Sequence, residues 1–144
     1  MPSTTALSIV TPAETKYEGE ADIVVAPGSA GDLAALVNHA PLLTTLRIGV
    51  LRATVRRVQS GEGKPAVSRI SYAVNGGFME VLARKVVVLT DVALSAGEVD
   101  VDQAAADLKR GEEALSQKRG QDDRAERDAV AWASARLEVA KERP

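Results

Sequence analysis

The hydrophobic period of this chain changes once, near residue 95, and that change restricts the fold more than any single motif does. Ahead of it, short apolar segments at 7–10, 23–25, 50–58, 70–74, 78–82 and 86–89 recur between turn signals. The punctuation is Thr11-Pro12, Pro27-Gly28, the run Gly61-Glu62-Gly63-Lys64-Pro65, and Gly76-Gly77. Segments of this length and spacing predict an antiparallel β-sandwich or barrel. Val50, Arg52, Thr54, Arg56 and Val58 alternate with Leu51, Ala53, Val55 and Arg57, which predicts a strand without showing which face is buried. Val86-Val87-Val88-Leu89 is apolar on both faces and predicts an interior strand.

Beyond the change the pattern is helical. Asp100 and Gln103 have the spacing of a capping box, with Asp100 as N-cap. Val101, Leu108 and Leu115 then repeat every seven residues, with Ala104 and Ala105 on the same stripe. Gly120 marks a break, Asp123 and Glu126 can form a second capping box, and Ala129, Val130, Ala133, Leu137 and Ala140 make a second stripe. Two short helices with narrow, alanine-rich stripes predict a close-packed antiparallel hairpin. Gly111, in mid-helix, costs about 1 kcal/mol relative to alanine, and each alanine buries little area. A hairpin so weakly held can adopt a second arrangement against a partner; equally, it can be a tail docked on the sandwich.

Composition excludes several kinds of chemistry. The chain has 144 residues, no cysteine and one histidine, and carries a formal charge of −2, so neither thiolate chemistry nor a basic surface for nucleic acid is available. Aromatic residues are 3% of the chain, which leaves the core to Ala, Val and Leu. No apolar run reaches the roughly 20 residues that span a bilayer, and residues 1–6 lack the pattern of a secretory signal, so a cytoplasmic protein is expected. The single His39 has no serine, carboxylate or second histidine tied to it by spacing. Gly28-Ser29-Ala30-Gly31-Asp32 lacks the lysine of a phosphate loop and reads as a tight turn, with Gly28 or Gly31 at positive φ. Gly76-Gly77 reads as a hairpin turn or a bulge. These residues predict a binding or coupling module and no enzyme.

Several stretches together resemble the epsilon subunit of bacterial F-type ATP synthases. They are Leu7-Ser8-Ile9-Val10-Thr11-Pro12, Tyr17-Glu18-Gly19-Glu20-Ala21, Val25-Ala26-Pro27-Gly28 continuing through Asn38-His39-Ala40-Pro41-Leu42-Leu43-Thr44, Tyr72-Ala73-Val74-Asn75-Gly76-Gly77-Phe78, and Val86-Val87-Val88-Leu89-Thr90-Asp91. They run in the family's order along nearly the whole chain; the loop from residue 59 to 66 looks longer than usual. The resemblance implies a ten-stranded β-sandwich over residues 1–95 and a regulatory two-helix hairpin over 96–144. It also implies a non-catalytic rotor subunit whose sandwich binds the gamma subunit and rests on the c-ring. The hairpin would lie folded on the sandwich or extend toward the alpha and beta subunits and inhibit ATP hydrolysis. The implied location is the cytoplasmic face of the bacterial inner membrane, reached through the complex. Alternatives are a stand-alone ATP-sensing module and an unrelated β-sandwich adaptor.

The same resemblance assigns site residues. Asp32 matches an acidic position facing the c-ring, and His39 a position near the gamma and c-ring surface. Against these stand a solvated turn residue for Asp32 and a histidine bonded to nearby backbone for His39. Arg124, Arg127 and Arg136, with Lys109, Arg110, Lys118 and Arg119, are candidates to meet acidic surface on alpha and beta; a solvated helix face is the other reading. Some bacterial epsilon subunits bind ATP through an Ile/Leu-Asp-x-x-Arg-Ala motif and arginines of the second helix. The matching positions here are Asp100, Ala104 and Arg136, but the motif's arginine is Gln103 and the residue one turn before Arg136 is Trp132. Weak ATP binding and no other cofactor are expected.

Overall fold

The structure is a computed structural model that describes residues 3–57, 66–119 and 121–142. The loop expected at 59–66 lies outside the described residues up to Ala66, which opens the strand Ala66–Val81, and the break at Gly120 lies outside them as well. Seven strands come first: β1 (Thr5–Val10), β2 (Thr15–Gly28), β3 (Gly31–Ala35), β4 (Leu42–Arg57), β5 (Ala66–Val81), β6 (Lys85–Leu89) and β7 (Ala93–Leu94). A 3-10 turn at Ala96–Glu98 leads into α1 (Val101–Gln117) and α2 (Arg124–Ala140).

The strands run in the order β1-β6-β5-β4-β2-β3, and β1 also pairs with β2, so the sheet closes on itself as a flattened barrel with two layers. The pairings are antiparallel except that of β1 with β6, which is parallel. β6 lies between β1 and β5, the interior place its apolar run predicts. Leu7, Ile9, Val24, Leu51, Val55, Val74, Met79, Val81, Val86 and Val88 fill the space between the layers and are inaccessible to solvent. Alternation places Leu51, Ala53 and Val55 of β4 in this core and turns Val50, Arg52, Thr54 and Arg56 outward.

Seven strands among the described residues replace the expected ten. The reduction comes from length: β2, β4 and β5 run 14, 16 and 16 residues and serve both layers without interruption. At Gly76-Gly77, for which a hairpin turn or bulge is expected, β5 continues and keeps one register against β4, from Leu42↔Val81 to Arg57↔Ala66. Both glycines have positive φ, +76° and +121°, and a Cβ on Gly77 would lie 2.1 Å from the Leu89 carbonyl oxygen. The pair bends the strand and lets β6 approach. The tight turn at residues 28–31 is borne out: Gly28 pairs with Gly31, and Gly31 is the one with positive φ.

The helices form the expected hairpin, with corrections to its chemistry. Asp100 caps α1 by accepting from the Gln103 amide at 3.1 Å, but the Gln103 side chain turns to Asp107 instead of closing the box. Asp123 makes no side-chain cap on α2; it pairs with Arg127, while Glu126 pairs with Lys118. The contact line of α1 is Ala104 and Gly111, with Leu108 and Leu115 half-buried beside it and Val101 exposed. On α2, Ala133, Ala135 and Val139 are buried and Ala129 is exposed. Gly111 has a packing reason: a Cβ there would meet Val130 Cγ2 at 3.1 Å, so the missing side chain sets how closely the helices approach.

Candidate partner interface

α2 lies on the outer side of β4 and β5. Ala135 and Val139 meet Ala73, Val99 and Ala104, and Val50, Leu94, Trp132 and Leu137 pack around them as a second, smaller core. Charge ties the two units together at the edges of this patch. Arg52 donates from Nη2 to Glu138 at 2.9 Å and from Nε to Glu142 at 2.8 Å. Burial works to raise the Glu142 carboxyl, but the Ser71 hydroxyl and the Arg52 guanidinium outweigh it and hold its pKa below the ordinary value. Lys16 of β2 reaches Glu98 in the 3-10 turn and Glu14 beside it. That pairing raises the Lys16 ammonium above its usual pKa and lowers Glu98.

A second surface has no cover. Cross-strand partners project to the same side, so the rows Val10–Leu89–Phe78–Thr45 and Ser8–Val87–Glu80–Leu43 share one outward face of β1, β6, β5 and β4. On it Leu43, Phe78 and Leu89 are 68%, 53% and 50% exposed. Three large apolar side chains together on one sheet face have the character of an interface. A groove of about 610 Å³ runs beside Phe78 and Leu89, bounded by Pro12, Asn75 and Asp91.

The sequence-predicted residues fall in different places. Asp32 sits just past the β2–β3 turn, its carboxylate paired with Arg47 and largely exposed; Arg47 also donates to the Gly28 carbonyl at 2.7 Å. Arg47 follows Leu43 and Thr45 at alternate positions of β4, so this pair lies on the rim of the apolar face. His39 is half-buried in the turn after β3, where Nδ1 lies 2.7 Å from the Ala40 carbonyl, a bond to nearby backbone. Asn38 beside it adopts φ +64° and donates to the Ala83 carbonyl.

Asp100, Ala104 and Arg136 are not a vacant cradle. Asp100 is a helix cap and Ala104 is buried. Arg136 donates to Asp107 at 2.9 Å and to the Trp132 carbonyl, and its guanidinium lies 5.5 Å from the centre of the Trp132 ring. Arg136 and Gln103 together hold the Asp107 carboxyl below its usual pKa. Between the helices runs a groove of about 350 Å³, floored by Gly111, Ala114, Ala125 and Ala129 and edged by Arg110, Glu126 and Trp132. Arg124 and Arg127 point outward, and Arg127 pairs with Asp123. Sequence reasoning missed Arg52, Lys16 and the Leu43–Phe78–Leu89 face. The usable signals were arginines at alternate positions of a strand whose outer face also holds Val50, and glutamates four residues apart at the end of α2.

Among the described residues no group of three or more metal-ligating side chains occurs, and no helix is long and apolar enough to cross a membrane.

Comparison with known proteins agrees with this architecture. The family described as ATP synthase, Delta/Epsilon chain, beta-sandwich domain matches residues 4–96. The ATP synthase epsilon chain of Desulforamulus reducens is 45% identical over 118 residues, 82% of each chain. That of Desulfitobacterium hafniense is 40% identical over 141 residues, 98% of this chain and 99% of the relative. In fold, a chain of the Euglena gracilis mitochondrial ATP synthase assembly of OSCP, F1 and c-ring superposes with a TM-score of 0.74 at 21% identity, covering 99% of this chain and 84% of that one. A chain from the Tetrahymena thermophila mitochondrial central stalk and c-ring gives 0.56 at 16% identity, covering 96% and 94%. With a sandwich matched across its whole length and relatives aligned through the hairpin, this chain belongs to the epsilon-subunit family of F-type ATP synthases.

Proposed function

We propose that the chain is a non-catalytic central-stalk subunit that couples proton-driven rotation to ATP synthesis and restrains ATP hydrolysis through its hairpin. The observation that carries this reading is the division of the molecule into a self-contained sandwich with a bare apolar face and a hairpin held on the outer side of β4 and β5 by a small contact. The Leu43–Phe78–Leu89 face is the docking surface for the gamma subunit. Asp32, with Arg47, and His39 meet the gamma and c-ring contacts at its rim. The released hairpin meets alpha and beta through Arg124, Arg127 and, once freed from Asp107, Arg136. The subunit works at the cytoplasmic face of the bacterial inner membrane, attached through the complex.

The test uses membranes carrying the full chain, the Leu43→Asp/Phe78→Asp variant, or a chain truncated after residue 97. The full chain is expected to co-purify with alpha, beta and gamma. The double variant should lose that association while keeping its far-ultraviolet dichroism. The truncated chain should keep ATP synthesis and proton coupling and release part of the inhibition of hydrolysis. Association unaffected by the double variant rules out this face, and unchanged hydrolysis after truncation rules out the regulatory role.

A further inference from the structure

We propose that Arg52 is the latch of the hairpin: its contacts with Glu138 and Glu142 set the fraction of molecules in which α2 lies on the sheet. Glu138 lies in the last turn of α2 and Glu142 four residues on, just past the Lys141 cap. With the hairpin released that placement is unfavourable, because both carboxylates lie at the negative end of the helix dipole and, four residues apart, repel one another wherever the last turn extends through Glu142. Among the described residues the opposing charge on that end of α2 is Lys141, at the cap and exposed. Arg52 supplies the counter-charge from another element, and only while the hairpin is docked. The Ser71 hydroxyl on the same sheet adds a bond to Glu142.

The rest of the contact is small enough for such a latch to matter. The buried apolar side chains between hairpin and sheet are Ala73, Ala104, Ala135, Val99 and Val139. The shielded Asp107–Arg136 pair and the Lys118–Glu126 pair both join α1 to α2 and contribute nothing to the hold on the sheet. Lys16 and Glu98 pin the linker ahead of α1, which leaves Arg52 as the charge contact made to α2 itself among the described residues.

The proposal rests on release of the hairpin, as read above, yet it is measured on the isolated chain. Because the chain contains no cysteine, an introduced thiol is a unique probe. Ala73→Cys places it beneath the hairpin, and Ala53→Cys places it inside the sandwich. Labelling by a neutral thiol reagent at low salt should be faster in the Ala73→Cys chain than in the Ala53→Cys chain. Arg52→Gln should speed labelling at position 73 by about five- to tenfold, the size of two partly exposed ion pairs, and leave position 53 unchanged. The swap Arg52→Glu with Glu138→Arg and Glu142→Arg should return the rate to within about twofold of the parent. Equal rates at the two positions in the parent would show that the hairpin never leaves separately, and both readings fail. Faster labelling at 73 that Arg52→Gln does not change, or that the swap does not reverse, overturns the latch alone. A rise matched at position 53 also overturns it, since Arg52 would then be stabilising the sandwich.

Discussion

At the scale of single residues, the groove between the helices already satisfies its own charges. Asp107 accepts from Arg136 and from Gln103, both at 2.9 Å, so a carboxylate already occupies the cations and donors that a triphosphate would need. Arg136 is further engaged with Trp132, and its side chain is only 13% exposed. Recruiting it to a phosphate would break a shielded pair and leave the Asp107 charge facing an anion. Each missing charge-assisted hydrogen bond is worth roughly 1.5–3 kcal/mol, so the absence of arginine at 103 and 132 weakens binding by on the order of a hundredfold or more. Calorimetric titration with Mg-ATP should give no heat of binding at micromolar concentrations. Gln103→Arg with Trp132→Arg should tighten binding by about a hundredfold. Micromolar or tighter affinity of the parent chain would refute this account.

At the scale of elements, periodicity carries much of the fold. Valine runs and the heptad of α1 locate strands and helices because burial on one side leaves a periodic trace in the residues themselves. The β5 bend was legible only in part: Gly76-Gly77 advertises unusual backbone, yet a pair at positive φ serves a turn and an in-register bend equally well, and the choice depends on the distant strand β6. The contact line of α1 keeps Ala104 of the expected stripe but passes beside its leucines, since the residue that best fits a close crossing is Gly111, which has no side chain to signal it. Arg52 and Lys16 were hard to read for a similar reason; their partners in the linker and hairpin lie 82 to 90 residues away. The two glycines of β5 should also differ in tolerance. At Gly76 the nearest atom to a new Cβ is the Leu46 carbonyl oxygen at 3.6 Å, so Gly76→Ala meets only the backbone penalty, about 1–2 kcal/mol. Gly77→Ala adds a collision with the Leu89 carbonyl and should cost more than about 3 kcal/mol. Urea unfolding midpoints of the two variants check the order, and equal losses would show that β6 moves aside.

At the scale of the whole molecule, the two cores are unequal and are built from different parts of the chain. The larger core draws all of its buried side chains from residues 7–93, and no helical residue contributes to it. The smaller one joins Ala73 of the sheet to Val99 in the linker and to residues of both helices, with Val50 and Leu94 at its edge. Removing the hairpin therefore exposes three modest apolar side chains on the sandwich, Val50, Ala73 and Leu94, and leaves Arg52 without its two glutamates and Lys16 with Glu14 in place of the Glu14–Glu98 pair; it opens no cavity in the main core. A hairpin without the sandwich has less to hold it, since its buried positions are mainly alanine and glycine, and short isolated helices are marginal in water. A fragment of residues 1–95 should thus be soluble, melt cooperatively, and lose less than about 10 °C in Tm relative to the full chain. Residues 96–144 alone should show little helical dichroism at 25 °C. Calorimetry and far-ultraviolet dichroism of the two fragments decide the matter: a non-cooperative, aggregating sandwich fragment would make the hairpin part of the folding unit, and a stably helical hairpin fragment would mean that its helices need no surface to fold against.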